Sequence, residues 1–210
     1  MCIIFKNVIY SKGFTMKELI FVVDPMCSWC WGFHPVMEAL RKKHHDQYKF
    51  SIVVGGLRSS GQMLWNDKSK DFLKAHWDAV AQRTGQPFSP KLLNRTNFDY
   101  NTYPACKAIV TVRELWGETL AFAYLSKIQY AFYAEGEDIT SPEVLVSYIT
   151  ENKKEFEDFY NTDRAETLMR HDFDKARAMG ANAFPSVVQI DEEGHMLCMK
   201  GYRTVEEILT

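Results

Sequence analysis

Two cysteines separated by two residues are the most chemically suggestive feature of the sequence. They form the run Cys27-Ser28-Trp29-Cys30, which follows a short apolar segment and opens a helical pattern. At the first turn of a helix, free backbone N–H groups and the positive end of the helix dipole both favour a thiolate. A thiolate attacks disulfides, and a second thiol nearby can resolve the mixed disulfide that results. The run therefore predicts a redox-active dithiol, with Cys27 as the exposed nucleophile and Cys30 as the sheltered resolving thiol.

The same spacing also fits a zinc site or a pair of inert core thiols. A structural zinc site needs four ligands, and the sequence offers neither a second C-x-x-C nor a histidine pair at ligand spacing. We therefore predict no metal site. The other cysteines, Cys2, Cys106 and Cys198, are expected to pack as small apolar residues, with redox regulation as the alternative for Cys106.

A strand–helix–strand pattern surrounds the cysteine pair. Ile20-Phe21-Val22-Val23 is a continuous apolar run, which is typical of a strand buried on both faces. Apolar residues then recur at helical spacing from Phe33 to Leu40, and the segment 50–54 has the composition of a second strand. These elements predict a βαβ unit whose two strands run parallel.

Strand patterns return only near the end of the chain. The span 68–160 contains prolines and glycines at positions typical of helix ends, and it predicts four or five helices in one compact subdomain. Pro90, Pro104 and Pro142 are the expected helix starts, and the apolar stretch from Leu120 to Glu135 is an expected buried helix. The elements expected afterwards are a helix over 163–179, strands over 186–190 and 195–199, and a last helix opened by the capping pair Thr204 and Glu207.

This order predicts an α/β fold with an all-helical insertion. The expected division is an N-terminal extension over residues 1–16, a core formed by 17–60 and 162–210, and a helical insertion over 61–161.

Composition excludes several other classes of protein. The chain has 210 residues, of which 46% are hydrophobic and 25% charged, so it is not a disordered protein. A net charge of −2 argues against a nucleic-acid partner. No apolar run approaches the roughly 20 residues that cross a membrane. The first residues do not resemble a secretory signal, and Met16 is an alternative start, so we expect a cytoplasmic protein.

Three features together resemble the thioredoxin superfamily, and more narrowly its DsbA-like branch, including the cytoplasmic FrnE-type members. They are the run Asp24-Pro25-Met26-Cys27-Ser28-Trp29-Cys30-Trp31-Gly32-Phe33, the helix proline Pro35, and Phe184-Pro185 directly before a strand. The resemblance covers about residues 17 to 210. It implies a thioredoxin-like fold with a large all-helical insertion between the βαβ unit and a C-terminal αββα unit.

The resemblance also implies the site. Pro185 is expected to be cis and to face the cysteine pair, in a loop that lines the substrate groove. Phe184, Pro185, Trp29 and Trp31 are the expected substrate-binding residues.

The expected function is that of a thiol–disulfide oxidoreductase acting on protein, peptide or small-molecule disulfides. Cys27 would attack the disulfide and Cys30 would release the product. No bound cofactor is expected, because glutathione or a thioredoxin-type donor would supply the electrons. The neutral spacer Ser28-Trp29 replaces the Pro-His of the family's strong oxidants, and Phe184 replaces Val or Thr. Both departures favour a reductase or isomerase.

Two alternatives remain open at this point. Kappa-class glutathione transferases and the related chromene-carboxylate isomerases resemble this architecture, but they typically carry serine where Cys27 stands. A non-catalytic thioredoxin-like binding module, with an idle or redox-sensing cysteine pair, is the other. Near the pair, Asp24 is a candidate for proton transfer or for capping a turn, and Arg58 is a candidate residue at the groove.

Overall fold

The computed structural model describes residues 16–61 and 63–210. Within these, strands β1 (Lys17–Val23), β2 (Tyr48–Val54), β3 (Ser186–Ile190) and β4 (Met196–Lys200) form one sheet in the order β2-β1-β3-β4. β1 and β2 are parallel, whereas β3 is antiparallel to both β1 and β4. The α/β class and the parallel βαβ unit are therefore confirmed, and β4 lies one residue later than predicted. Of the predicted extension over 1–16, only Met16 lies among the described residues.

The helices lie mainly between β1 and β2 and between β2 and β3, where loops connect them. They are α1 (Ser28–Lys43), α2 (Asp67–Thr84), α3 (Tyr103–Trp116), α4 (Glu118–Tyr130), α5 (Pro142–Ser147), α6 (Lys153–Tyr160) and α7 (Asp163–Ala178), with α8 (Val205–Leu209) at the end of the chain. None of the helices in the described part of the chain is both long and apolar enough to cross a membrane.

Two helix predictions need correction. The stretch predicted as one helix to Glu135 is α4 followed directly by a π-helical segment, Ala131–Glu135, because the last turn widens before Gly136 takes a left-handed conformation (φ 76°). The helix start predicted at Pro90 is absent, and residues 90–94 form only turns. α1, in contrast, runs without interruption through Pro35.

The sheet is covered on both faces. Along β1, Leu19, Phe21 and Val23 point into the larger core, while Ile20 and Val22 point into a smaller one. The smaller core is completed by residues of and after α7, together with neighbouring strands: Val53, Ala176, Met179, Ala181 and Val188. All five β1 residues are at most 2% exposed. The predicted burial of this strand on both faces is confirmed.

β2 forms one edge of the sheet, and side chains from the helices occupy its outward polar groups. Asp172 of α7 accepts the N–H of Val54 at 3.0 Å, and both of its oxygens accept from Arg113 of α3 at 2.8 Å. Arg113 also donates to the carbonyl of Ile52 at 2.6 Å, and Glu118 accepts the N–H of Ile52 at 3.1 Å. These bonds fix three helices to the edge strand and occupy its outward groups at Ile52 and Val54, which hinders pairing with another chain there.

The strand register brings three loops together at one end of the strands. β1 ends at Val23, opposite the end of β2, and Val22 pairs with Ser186 at the start of β3. Since β3 runs antiparallel to β1, the loop before β3 meets the loops that follow β1 and β2. These loops carry Pro185, the cysteine pair and Gly55 respectively.

Candidate active site

Cys27 stands at the start of α1. It is the N-cap residue, with an extended backbone (φ −89°, ψ 117°), and its carbonyl accepts the N–H groups of Cys30 at 2.9 Å and Trp31 at 3.0 Å. The first turn of α1 contains no acidic residue, so no carboxylate there neutralises the positive end of the helix dipole. The predicted position of this thiol at a helix start is confirmed.

The loop before β3 covers Cys27. The Cys27 thiol donates to the carbonyl oxygen of Phe184 at 3.4 Å, and the Phe184–Pro185 peptide bond is cis. Gly201, after β4, donates its N–H to the carbonyl of Pro185 at 2.8 Å and fixes this loop. As a result, Cys27 is only 7% exposed, and the expectation of an openly exposed nucleophile is wrong. The implied cis geometry of Pro185 is present.

Cys30 lies deeper, with 0% of its surface exposed. Its sulfur accepts the N–H of Asp24 at 3.5 Å. Burial, followed by the influence of Cys27, raises the pKa of the Cys30 thiol well above its ordinary value. Both cysteines are free thiols. The pair thus combines a sulfur close to the surface with a protonated, shielded one.

Asp24 is a fully buried carboxyl group beside the pair. One of its oxygens accepts the N–H of Met26 at 2.9 Å, and the other accepts the N–H of Leu57 at 2.7 Å. Burial raises the pKa of Asp24, and these hydrogen bonds oppose the rise only in part. Asp24 therefore caps the turn before Cys27 and also places a weakly acidic carboxyl group next to it.

Cys106 contacts the same carboxyl group. It is buried, as expected of a small apolar residue, but its Sγ lies 3.6 Å from Oδ2 of Asp24. Burial raises the pKa of the Cys106 thiol well above its ordinary value, so the thiol acts as a weak donor toward Asp24. No local pattern could indicate this contact, because 82 positions separate the two residues.

The two tryptophans of the motif have different surroundings. Trp29 is partly buried, with its ring centroid 6.0 Å from that of Tyr202. Trp31 is only 4% exposed, stacks on Tyr133, and donates from Nε1 to the carbonyl of Pro87 at 3.1 Å. Two positions along a helix are about 200° apart, so both rings cannot face the groove. Trp29 remains a candidate substrate contact, whereas Trp31 packs in the core and offers little surface to a substrate.

Two further residues shape the site and were not singled out from the sequence. A Cβ atom at Gly55 would lie 2.0 Å from the Phe184 ring, so glycine is required for the close approach of these loops. Tyr100 donates its hydroxyl to the carbonyl of Met26 at 2.6 Å, directly before Cys27. Gly55 directly follows the segment 50–54 that was predicted as a strand, whereas Tyr100 lies 74 positions from its partner and had no local signal.

One cluster in residues 16–61 and 63–210 has side chains close enough to share a metal ion. It consists of Asp191, Glu193 and His195 in the turn between β3 and β4. Pro185 precedes β3, whereas this turn follows it, so the cluster lies at the opposite end of that strand from the cysteine pair. It is not part of the site.

Comparison with known proteins agrees with this geometry. The chain matches the family described as Thioredoxin over residues 20–209. A protein of Nitrosomonas europaea, provisionally assigned as a protein disulfide isomerase, is 28% identical; the match covers 91% of this chain and 93% of that one, with a TM-score of 0.82. The cytosolic disulfide reductase DsbM of Pseudomonas aeruginosa is 23% identical, with coverages of 87% and 89% and a TM-score of 0.73, and a further DsbM structure contains GSH.

Curated relatives include a protein with a different description. The ClpXP adapter protein SpxH of Halalkalibacterium halodurans is 23% identical over 190 residues, which cover 84% of this chain and 61% of SpxH. The chain thus spans less than two thirds of the length of that relative. The match over residues 20–209 shows that the chain belongs to the thioredoxin family, and its fold is that of the DsbA-like oxidoreductases.

Proposed function

We propose that this protein is a thiol–disulfide oxidoreductase that reduces or isomerises disulfides through Cys27 and Cys30. The observation that carries the proposal is the contact between the Cys27 thiol and the Phe184 carbonyl, with Cys30 buried beneath. Membership of the thioredoxin family and the DsbA-like fold support thiol–disulfide chemistry in general terms.

The Phe184 carbonyl beside Cys27 is the proposed contact for the backbone of a peptide substrate. The thiol donates its only proton to the carbonyl oxygen of Phe184, so a thiolate has nothing left to donate. The carbonyl oxygen then faces a negative sulfur and is free to accept a backbone N–H of an extended peptide. Trp29 and Phe184, both partly buried, offer apolar surface on either side of that peptide.

The reaction then proceeds by two exchanges. The Cys27 thiolate attacks one sulfur of the substrate disulfide, forms a mixed disulfide, and releases the other sulfur as a thiolate that takes up a proton. Cys30 loses its proton and attacks the Cys27 sulfur, which releases the second substrate thiol. Two electrons pass from the dithiol to the substrate, and the protein is left with a Cys27–Cys30 disulfide.

Asp24 is the proposed acceptor of the Cys30 proton. The high pKa of the buried Cys30 thiol means that it needs a base. Asp24 is buried beside it, donates its own N–H to the Cys30 sulfur, and has a raised pKa of its own. A base of this kind holds a proton more strongly than an exposed carboxylate does.

A disulfide-containing protein or peptide is the proposed substrate, and glutathione or a thioredoxin-type protein is the proposed electron donor. No bound cofactor takes part. We propose a cytoplasmic, reducing location. Support comes from the similarity to DsbM, which is named a cytosolic disulfide reductase and has been solved with GSH.

Insulin reduction with dithiothreitol tests the proposal. The wild-type protein should accelerate precipitation of the insulin B chain, and Cys27→Ala should abolish the acceleration. Cys198→Ala is the matched control, because it removes a free thiol on β4 that the mechanism does not use, and it should keep most of the activity. Equal rates for wild type and Cys27→Ala would remove the proposal. Turnover of glutathione conjugates that survives Cys30→Ser would instead favour the glutathione transferase alternative.

A binding role is the second candidate. It is favoured by the similarity to SpxH, a protein named as an adapter, and by the exposed apolar side chains of Leu57 and Leu64 in the loop after β2, which are 42% and 77% exposed. In that role the cysteine pair would be idle. Pull-down of a partner with equal yield by wild type and by the Cys27→Ala/Cys30→Ala variant, without insulin reduction by either, would select this candidate.

A further inference from the structure

Within the described residues, some arginine side chains form ion pairs and others do not, and the two groups lie in different parts of the fold. Five of the nine form ion pairs: Arg95–Asp138, Arg113–Asp172, Arg164–Glu114, Arg170–Glu166 and Arg177–Asp174. Arg41 stacks on the Phe122 ring and lies within the electrostatic influence of two glutamates. Arg58, Arg83 and Arg203 form no ion pair within the described ranges, and all three lie in segments that border the cysteine pair or Pro185.

Arg58 is held rigidly at its backbone. Its N–H donates to the hydroxyl of Thr102 at 3.2 Å, and its carbonyl accepts the N–H of the same residue at 3.1 Å. Thr102 is 0% exposed, and the preceding Leu57 is bonded to Asp24. The backbone of this arginine is thus attached directly to the buried network under Cys27.

The guanidinium of Arg58 reaches the site through one aromatic ring. Its Cζ lies 5.8 Å from the ring centroid of Tyr100, whose hydroxyl bonds the carbonyl of Met26 at 2.6 Å. Tyr100 thus links the charge of Arg58 to the residue directly before Cys27. Asp99, directly before Tyr100, is exposed and lies against Gly61, whose N–H donates to the Arg58 carbonyl at 3.2 Å, but within the described residues Asp99 forms no ion pair with Arg58.

Arg83 lies next to a second aromatic ring, Tyr202, which packs against Trp29 of the motif. Its Cζ lies 5.7 Å from the ring centroid of Tyr202, and that ring is 6.0 Å from the ring of Trp29. Arg83 is exposed and has freedom to move, whereas Arg58 is partly buried. Two cations without an ion-pair partner among the described residues thus lie next to aromatic rings that contact neighbours of Cys27: Tyr100 bonds the Met26 carbonyl, and Tyr202 packs against Trp29.

We propose that Arg58, with Arg83 in support, selects disulfides that carry carboxylate groups close to the sulfur. The inference rests on the proposed function and names its substrate class. A guanidinium binds a carboxylate through two parallel hydrogen bonds, and an unpaired one needs no internal partner to be displaced first. The net charge of −2 gives the protein no general attraction for anions, so the preference is local. Carboxylates of a small peptide thiol or of an acidic protein segment share this chemistry.

The chemical step is the exchange described above, with an anionic disulfide as oxidant. Cys27 displaces one carboxylate-bearing thiolate and Cys30 displaces the second. Both leave as thiols after taking up protons, and the dithiol loses two electrons. Arg58 and Arg83 take no part in bond making and act only on where the substrate binds.

A matched pair of disulfides tests the proposal. Reduced protein is mixed with oxidised glutathione, or with the disulfide of glutathione diethyl ester, in which the same peptide has its carboxylates masked. Protein oxidation is followed by acid quench and alkylation, and the ratio of the two rate constants is compared between variants. Arg58→Gln should lower this ratio roughly three- to tenfold, and Arg83→Gln by less. Arg177→Gln, which removes an equal charge from an exposed ion pair on α7, should leave the ratio unchanged.

The outcomes distinguish a failure of carboxylate selection from a failure of the proposed function. If Arg58→Gln and Arg83→Gln both keep the wild-type ratio, selection by carboxylate is overturned while the oxidoreductase function stands. If neither disulfide oxidises the wild type faster than Cys27→Ala, the proposed function itself fails. A disulfide-linked peptide with Glu beside its cysteine, compared with the Gln version, identifies the source. An Arg58-dependent preference there extends the proposal to protein segments, and its absence restricts it to small thiols.

Discussion

The thiol of Cys27 lies 3.4 Å from the main-chain carbonyl oxygen of Phe184, a residue 157 positions later in the chain. The antiparallel pairing of β1 with β3 makes this contact, because it brings the start of β3 to the end of β1. The contact joins the reactive sulfur to the loop that a peptide substrate would meet. Any change that displaces this loop should therefore act on the chemistry as well as on binding.

Removal of the resolving thiol should stop the reaction halfway. In Cys30→Ala, Cys27 still attacks oxidised glutathione, but no thiol lies beneath it to release the adduct. We expect this variant to accumulate one glutathione per protein, seen by intact mass spectrometry and lost on addition of dithiothreitol. In Cys27→Ala no adduct should form on Cys30 or Cys106, because both are 0% exposed. An adduct that maps to Cys106 would contradict this assignment.

A methyl group at Gly55 should disturb the site without touching either cysteine. Its Cβ would lie 2.0 Å from the Phe184 ring, so the ring and its loop must shift. A displacement of about 1 Å in a positioning element can cost up to a hundredfold in rate. We expect Gly55→Ala to reduce insulin reduction roughly ten- to hundredfold. The double variant Gly55→Ala/Phe184→Ala removes the clashing ring and should recover part of the loss; a fully active single variant would show that the loop adapts freely.

Local patterns were enough to predict the strands and the dithiol. β1 is a run of apolar residues buried on both faces, and the helix after it starts where the cysteine spacing placed it. The position of Pro185 over Cys27 followed from resemblance, since no local rule links residues so far apart in the chain. The π-helical segment after α4 was not predictable, because its residues have the same apolar pattern as an ordinary helix.

Contacts made by tertiary packing account for what the sequence did not predict in the site. Cys27 was expected to be exposed because it stands at a helix start, but the loop before β3 covers it and leaves only 7% of its surface exposed. Trp31 has the same residue type as Trp29 and lies two positions away, yet one packs in the core and the other near the surface. Neighbours of Asp24 such as Cys106 come from another helix, so no spacing in the motif could reveal them.

Breaking the ion pair at the edge strand should destabilise the whole fold. Asp172 is 4% exposed at its side chain and holds both Arg113 and the N–H of Val54. Asp172→Ala removes the ion-pair partner of a largely buried guanidinium, which keeps only its bond to the uncharged Ile52 carbonyl, and leaves the Val54 N–H without its acceptor; together these losses cost about 3–5 kcal/mol. Urea unfolding should show this loss as a lower midpoint. Asp158→Ala removes the partner of Lys154 in an exposed pair and should leave the midpoint nearly unchanged; equal effects would contradict the role of Asp172.

The rate of the resolving step, in which Cys30 releases the substrate from Cys27, should depend on pH through Asp24. Burial raises the pKa of Asp24 above its ordinary value of 3.8 and raises that of Cys30 well above its own. Asp24 can accept the Cys30 proton only when it is ionised, so the wild-type rate of mixed-disulfide decay should rise with pH through the raised pKa of Asp24. Asp24→Asn cannot accept a proton, and its rate should rise only at the higher pH where Cys30 ionises unaided.

At neutral pH we therefore expect Asp24→Asn to resolve the mixed disulfide roughly ten- to a hundredfold more slowly, with the two rates converging in alkaline solution. Rapid mixing with oxidised glutathione, acid quench and mass spectrometry measure the decay directly. Asp174→Asn, an exposed acid on α7, is the control and should follow the wild-type profile. Parallel profiles for wild type and Asp24→Asn at every pH would rule out Asp24 as the proton acceptor, because a residue that only holds the turn would change the rate without moving its pH dependence.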